Sequence, residues 1–217
     1  MIEIIPSIIA KSFDQLEGFI RKYEPFFNRV SIDISDGNFT PTRTISGYEE
    51  IPRIETDLSF DVHLMVSMPG ETIKQWLETK VDRYFIHLEN GLPTCEKMIG
   101  YIHEAGKQVG VVVNPTTAID RLSEVIDKVD YVQLMTVDPG FYGNKFLDQV
   151  VDNIREVKKI YPNKTIAVDG GVNLGNIEKL VKAGVSIFIM GTYFLKSEDI
   201  KKSLDDLNKS INNTLYA

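Results

Sequence analysis

Eight short runs rich in β-branched and other apolar residues recur along the chain, each separated from the next by a longer stretch with turn residues and helical spacing. The runs are Glu3–Ile8, Arg29–Ile34, Ser59–Met65, Arg83–His87, Gln108–Val113, Tyr131–Met135, Thr165–Val168 and Ser186–Met190. Helices are expected between and after them, at Pro69–Thr79, Thr94–Ala105, Phe146–Ile160, Leu174–Lys182 and Ser197–Asn212. Proline in the first turn and an apolar face of Ile73, Trp76 and Leu77 support the first of these. Gly106 stands where a left-handed cap closes the second, and Ser197 stands where an N-cap opens the last. Near-continuous apolar strands need cover on both faces. The alternation therefore predicts an α/β fold, a (β/α)₈ barrel forming a single domain over 1–217. An open doubly wound sheet is the competing architecture, but no Gly-x-Gly-x-x-Gly turn follows the first run.

Composition narrows the partners. With 24 basic against 31 acidic side chains the net charge is −7, so no overall positive field exists to hold a nucleic acid or an anionic membrane. Any anion must be caught locally. The single cysteine, Cys95, makes no internal disulfide and is expected to pack in a helix. The start has no basic leader, and no apolar run approaches the length of a membrane helix, so a cytoplasmic location is expected.

In a barrel, residues at the C-terminal strand ends share one face. The runs deliver Ser7, Asp33 and Asp36, His63 and Met65, His87 and Glu89, Asn114, Met135 with Asp138-Pro139-Gly140, Asp169-Gly170-Gly171, and Gly191-Thr192. Glycines after both of the last two strands are what a phosphate cradle of backbone N–H groups requires, although either pair alone reads more simply as a tight turn. Asp33 and Asp169 come from runs well apart around a closed barrel, so they can face each other across a ligand, one as base and one as acid. A lone aspartate at such a position is more often a helix cap. His63 beside them completes a three-ligand divalent metal site; alone it would read as a core histidine. His87 reads equally as a partner of such a site or as packing, and Met65 and Met135 as pocket walls or core. The glycine-rich stretch from Val137 to Phe146 reads as a lid over the ligand.

Together Ile5-Pro6-Ser7-Ile8, Asp33-Ile34-Ser35-Asp36-Gly37, Asp61-Val62-His63-Leu64-Met65-Val66 and Met135-Thr136-Val137-Asp138-Pro139-Gly140-Phe141 resemble the ribulose-phosphate 3-epimerase family, as do Val168-Asp169-Gly170-Gly171-Val172 and Met190-Gly191-Thr192. The resemblance implies a barrel of the ribulose-phosphate-binding type that inverts C3 of a ketose phosphate such as ribulose 5-phosphate, giving xylulose 5-phosphate. It implies Asp33 and Asp169 as acid/base pair and, with His63, as ligands of one divalent ion (Zn, Mn, Fe or Mg). It further implies substrate contacts at Ser7, His63, Met65, Met135, Gly140, Gly143, Gly170, Gly171, Gly191 and Thr192, in a homo-oligomer. The chain departs from the family pattern at Ser31, where the first metal histidine would stand, at Ser35 in place of a methionine wall and at Thr42 in place of an asparagine. Asp138 resembles the allulose-6-phosphate 3-epimerase branch, which keeps a six-carbon substrate open. Two further alternatives are a sugar-phosphate-binding barrel without turnover, marked by Ser31, and a lyase or synthase, for which no lysine stands at the strand ends.

Overall fold

The computed structural model describes residues 2–139 and 143–216. Nine parallel strands form one sheet: β1 Glu3–Ile5, β2 Ser7–Ile8, β3 Arg29–Ser35, β4 Ser59–Met65, β5 Val81–His87, β6 Gln108–Val113, β7 Tyr131–Met135, β8 Thr165–Asp169 and β9 Ile187–Ile189. Their order is β1-β9-β8-β7-β6-β5-β4-β3-β2. By position there are eight, because β1 and β2 are one strand interrupted at Pro6, which has no N–H for the ladder. β1 pairs with β9 while β2 pairs with β3, so the strand that breaks at Pro6 closes the barrel. This is the (β/α)₈ architecture that the alternation predicts.

Seven helices accompany the strands: α1 Phe13–Tyr23, α2 Ile73–Leu77, α3 Leu92–Glu104, α4 Val150–Ile160, α5 Ile177–Ala183, α6 Thr192–Leu195 and α7 Ile200–Leu215. Helix boundaries differ from expectation in several places; α5, for one, begins at Ile177 and not at Leu174. The helix expected over Pro69–Thr79 begins as a 3₁₀ turn at Pro69–Glu71 and is α-helical only in α2. The one expected from Phe146 begins at Val150. The last is capped by Asp199, whose carboxylate accepts from the Lys202 N–H, and not by Ser197. No described helix is long and apolar enough to cross a membrane.

Strand alternation divides the core in two. On β3 and β4, Val30, Ile32, Ile34, Phe60, Val62 and Leu64 join the large cluster formed with the helices. The intervening residues, Ser31, Asp33, Ser35, Asp61, His63 and Met65, are buried on the opposite, inner face. A smaller inner cluster of Ile5, Phe85, Val112, Met135, Val137, Ala167, Ile187 and Ile189 fills the barrel. Near the N-terminal strand ends Arg29 meets Asp61 at 2.6 Å and Arg83 meets Glu3 at 2.8 Å. Charges therefore sit at the lower mouth, apolar packing in the middle and the polar strand ends above it.

Candidate active site

Register places the chemistry. Asp33 on β3 lies beside His63 on β4, and Asp169 ends β8 beside Met135 and Ile189. His63 is fully buried, and its Nδ1 stands 3.3 Å from Asp33 Oδ1 and 3.3 Å from Asp169 Oδ2. The ligand atoms of the three residues all lie within 4.8 Å of one another. Ser7 supports the cluster with a hydrogen bond to Asp33.

Above it a pocket opens, lined by Ser7, Ile9, Asp33, Met65, Met135, Val137, Pro139, Gly143, Asn144, Asp169, Gly170, Gly171, Gly191 and Thr192. His63 is not part of that wall; it lies beneath the two carboxylates. Gly140, with residues 141 and 142 of the expected lid, falls outside the described residues. Ile9, Val137 and Asn144 were not singled out as contacts. Ile9 had a signal, since alternation puts it on the same side as Ser7.

The turn after β8 is shaped by glycine. Gly170 has φ +110° and Gly171 +63°. The Thr136 hydroxyl donates to the carbonyl of Gly170, and the amides of Asn173 and Asn176 donate to that of Gly171. Ser31 is buried two residues below Asp33, outside the pocket wall, with no hydrogen-bond partner for its hydroxyl among the described residues. Ser35 is drawn away from the pocket as well. Its hydroxyl bonds to that of Thr40 and to the Thr42 carbonyl in the loop after β3.

Electrostatics follow from burial and proximity. Burial, and then the charge of Asp169, push the Asp33 carboxyl up to about 6. Burial alone would pull His63 down, but the two carboxylates more than offset it and lift the imidazole to about 9. The folded protein therefore holds a His63 proton that an unfolded chain releases near 6.5. Stability from this proton is complete below 6.5 and lost as pH rises through about 9. In protein stripped of divalent ions, the melting temperature is expected to fall by several degrees between about pH 7 and pH 9. A flat profile from circular-dichroism melts across that window would show that the aspartates do not hold His63 protonated.

His87 lies on the far side of His63, with the two Nε2 atoms 2.8 Å apart, and its Nδ1 is 3.0 Å from Glu89. Burial, opposed by Glu89, takes His87 down to about 4. Burial would raise Glu89, but hydrogen bonds from His87, the Asn114 N–H and the Thr117 hydroxyl bring it down to about 2. Cys95 is buried, donates to the His87 carbonyl at 3.3 Å, and is pushed by burial up to about 11, as suits an inert thiol. His103 is half-exposed and meets Asp130 at 3.1 Å.

The arrangement is one buried imidazole flanked by two carboxylates on the floor of a pocket whose far wall is glycine-rich. A family model, the ribulose-phosphate 3 epimerase family, matches residues 3–195. The ribulose-phosphate 3-epimerase of Bacillus subtilis is 36% identical over 217 residues, covering 97% of this chain and 100% of that protein. The ribulose-phosphate 3-epimerase of Aquifex aeolicus is 32% identical over 208 residues, covering 91% of each. Among solved structures, 3-hexulose-6-phosphate synthase from Salmonella typhimurium superposes with a TM-score of 0.74 over 98% of this chain and 99% of that one, at 16% identity, a likeness of fold.

Proposed function

Because the chain belongs to the ribulose-phosphate 3-epimerase family, we propose that it is a C3 epimerase of a ketose phosphate, with ribulose 5-phosphate and xylulose 5-phosphate as the pair interconverted. The observation that carries the mechanism is the convergence of Asp33 and Asp169, from strands three places apart around the barrel, on the single Nδ1 of His63. One carboxylate removes the C3 proton, and the electron pair of the C–H bond passes into the C2 carbonyl to give an enediolate. The other carboxylate delivers a proton to the opposite face of C3, and the carbon inverts. Met65 and Met135 flank the reacting carbon with apolar surface. The glycines after β8 and β9 receive the phosphate, since engaged carbonyls at Gly170 and Gly171 turn the N–H side of that loop to the anion.

The donor set fits a divalent cation: two carboxylates and an imidazole, all buried, with a mutual repulsion between Asp33 and Asp169 that a cation relieves. Asp33, His63 and Asp169 would hold it, and it would supply positive charge opposite the developing oxyanion. Ser31 offers a hydroxyl where an imidazole would bind far more strongly, so three protein ligands serve here. His63→Ala is expected to weaken affinity for Mn²⁺ or Zn²⁺ by more than about 100-fold, beyond the loss of an outer partner. Unchanged metal content by elemental analysis would make His63 a packing residue.

Deuterium exchange tests the whole reading. Chelator-treated protein is incubated in D₂O with ribulose 5-phosphate or with a six-carbon ketose 6-phosphate, with and without Mn²⁺, Zn²⁺ or Mg²⁺, and C3 is followed by NMR. Cation-stimulated deuteration with inversion of ribulose 5-phosphate is the expected result. Inversion only of the six-carbon sugar would move the assignment to the allulose-6-phosphate type. Binding without exchange under every condition would overturn the epimerase and leave a sugar-phosphate-binding barrel.

A further inference from the structure

Behind the pocket runs an unbroken chain of buried polar contacts that the proton transfer itself does not use. Glu89 follows β5 in a short 3₁₀ turn, Leu88–Asn90. Its Oε1 accepts from the Asn114 N–H at 2.9 Å and from the Thr117 hydroxyl. Its Oε2 faces His87 Nδ1 at 3.0 Å, His87 Nε2 faces His63 Nε2 at 2.8 Å, and His63 Nδ1 faces the two aspartates. Phe39 packs on the His87 ring with centroids 4.6 Å apart, and both imidazoles are fully buried, so neither has water as an alternative partner.

Each contact in such a chain carries one hydrogen, so its direction is set at one end. A carboxylate can only accept. His87 must then present N–H at Nδ1 and a lone pair at Nε2, and His63 must present N–H at Nε2. We propose that Glu89 and His87 are positioning residues that fix the tautomer of His63, holding a proton on its Nε2 so that Nδ1 is the nitrogen offered between Asp33 and Asp169. This rests on the reading of those three residues as a cation site for its purpose, although not for its chemistry. A ligating histidine whose other nitrogen donates to a fixed acceptor is held in both orientation and tautomer. Here the acceptor is a second histidine, and the carboxylate that decides the direction lies one residue further out.

An isosteric change should reverse the chain. In Glu89→Gln, the amide oxygen must stay where Asn114 N–H and the Thr117 hydroxyl donate, which turns the NH₂ toward His87. His87 Nδ1 becomes the acceptor, His87 Nε2 carries the proton, and His63 Nε2 loses its own, so the one proton left on His63 is that on Nδ1 between the aspartates, and giving that place to a cation would leave a bare imidazolate.

The test is ¹⁵N-histidine NMR of the metal-free protein, tractable because the chain has only three histidines. Wild type is expected to show protons on His87 Nδ1 and His63 Nε2, and Glu89→Gln a proton on His87 Nε2. A proton on His87 Nε2 in wild type overturns the proposal, as does an unchanged pattern in the variant. If the variant does not fold, the wild-type spectrum alone decides. Zn²⁺ titration is the second readout: Glu89→Gln is expected to bind about 10- to 100-fold more weakly, and equal affinity overturns the positioning role. Should wild type bind no divalent cation at all, the cation site under Proposed function fails, while the metal-free spectra still decide whether Glu89 sets the tautomer.

Discussion

Asp169→Asn is expected to cut epimerisation by about 10³-fold or more while leaving the fold intact, as the proposed role of Asp169 in proton transfer requires. The side chain makes no contact that holds the strand. β8 is fixed by main-chain pairing with β7 and β9, and the Asp169 carboxylate meets only His63 among the described ion pairs. Far-UV circular dichroism should therefore match wild type. Asp33→Asn should lose turnover to a similar degree, and the two variants should differ in which epimer still exchanges its C3 hydrogen, since each removes the group serving one face. Near-normal turnover in either variant would remove that carboxylate from proton transfer.

Gly170→Ala is the second large effect expected, and it acts through the backbone. Gly170 has φ +110°, which L side chains rarely adopt, and a Cβ there would stand 2.3 Å from Val137 Cγ2. Strained backbone of this kind costs about 1–3 kcal/mol, and overpacking typically adds about 1–3 kcal/mol. The combined loss should lower the denaturant midpoint clearly, and distortion of the turn beside Asp169 should raise KM for the sugar phosphate. Gly100→Ala serves as the control. Gly100 lies within α3 with nothing within 4 Å of its Cβ position, so alanine there should stabilise by about 0.5–1 kcal/mol. If both variants melt alike, the Gly170 turn is not held as described.

The strands were legible because parallel strands carry apolar, β-branched residues in short runs, and β4, β6 and β7 have the expected limits of Ser59–Met65, Gln108–Val113 and Tyr131–Met135. Pro6 advertised the interruption of the first run, yet only the sheet order reveals that this break is where the barrel closes. α1 escaped the periodicity reading; its buried Leu16, Ile20 and Tyr23 are spaced among charged residues. The cap of α7 was misplaced because Ser197 and Asp199 are both good caps, and which one opens the helix depends on where Ile200 reaches the core. Strand-end position was enough to nominate Asp33, His63 and Asp169. It could not reveal the link from His63 to Glu89, because two histidines 24 residues apart meet only through the stagger between β4 and β5. Nor could it place Ser35, whose hydroxyl is turned aside by threonines in the following loop.

Closure through the first strand also bears on how the protein is made and how long it lasts. Glu3 pairs with Ile187, so the ring is completed only when β9, the last described strand in chain order, inserts between the first strand and β8. Contacts between residues so distant in sequence form slowly. The pocket straddles this late joint, with Ser7 and Ile9 contributed from one side and Gly191 and Thr192 from the other. A sugar phosphate bound there as proposed would be a clasp across the joint, so occupancy should retard unfolding of the finished barrel as well as shift its equilibrium.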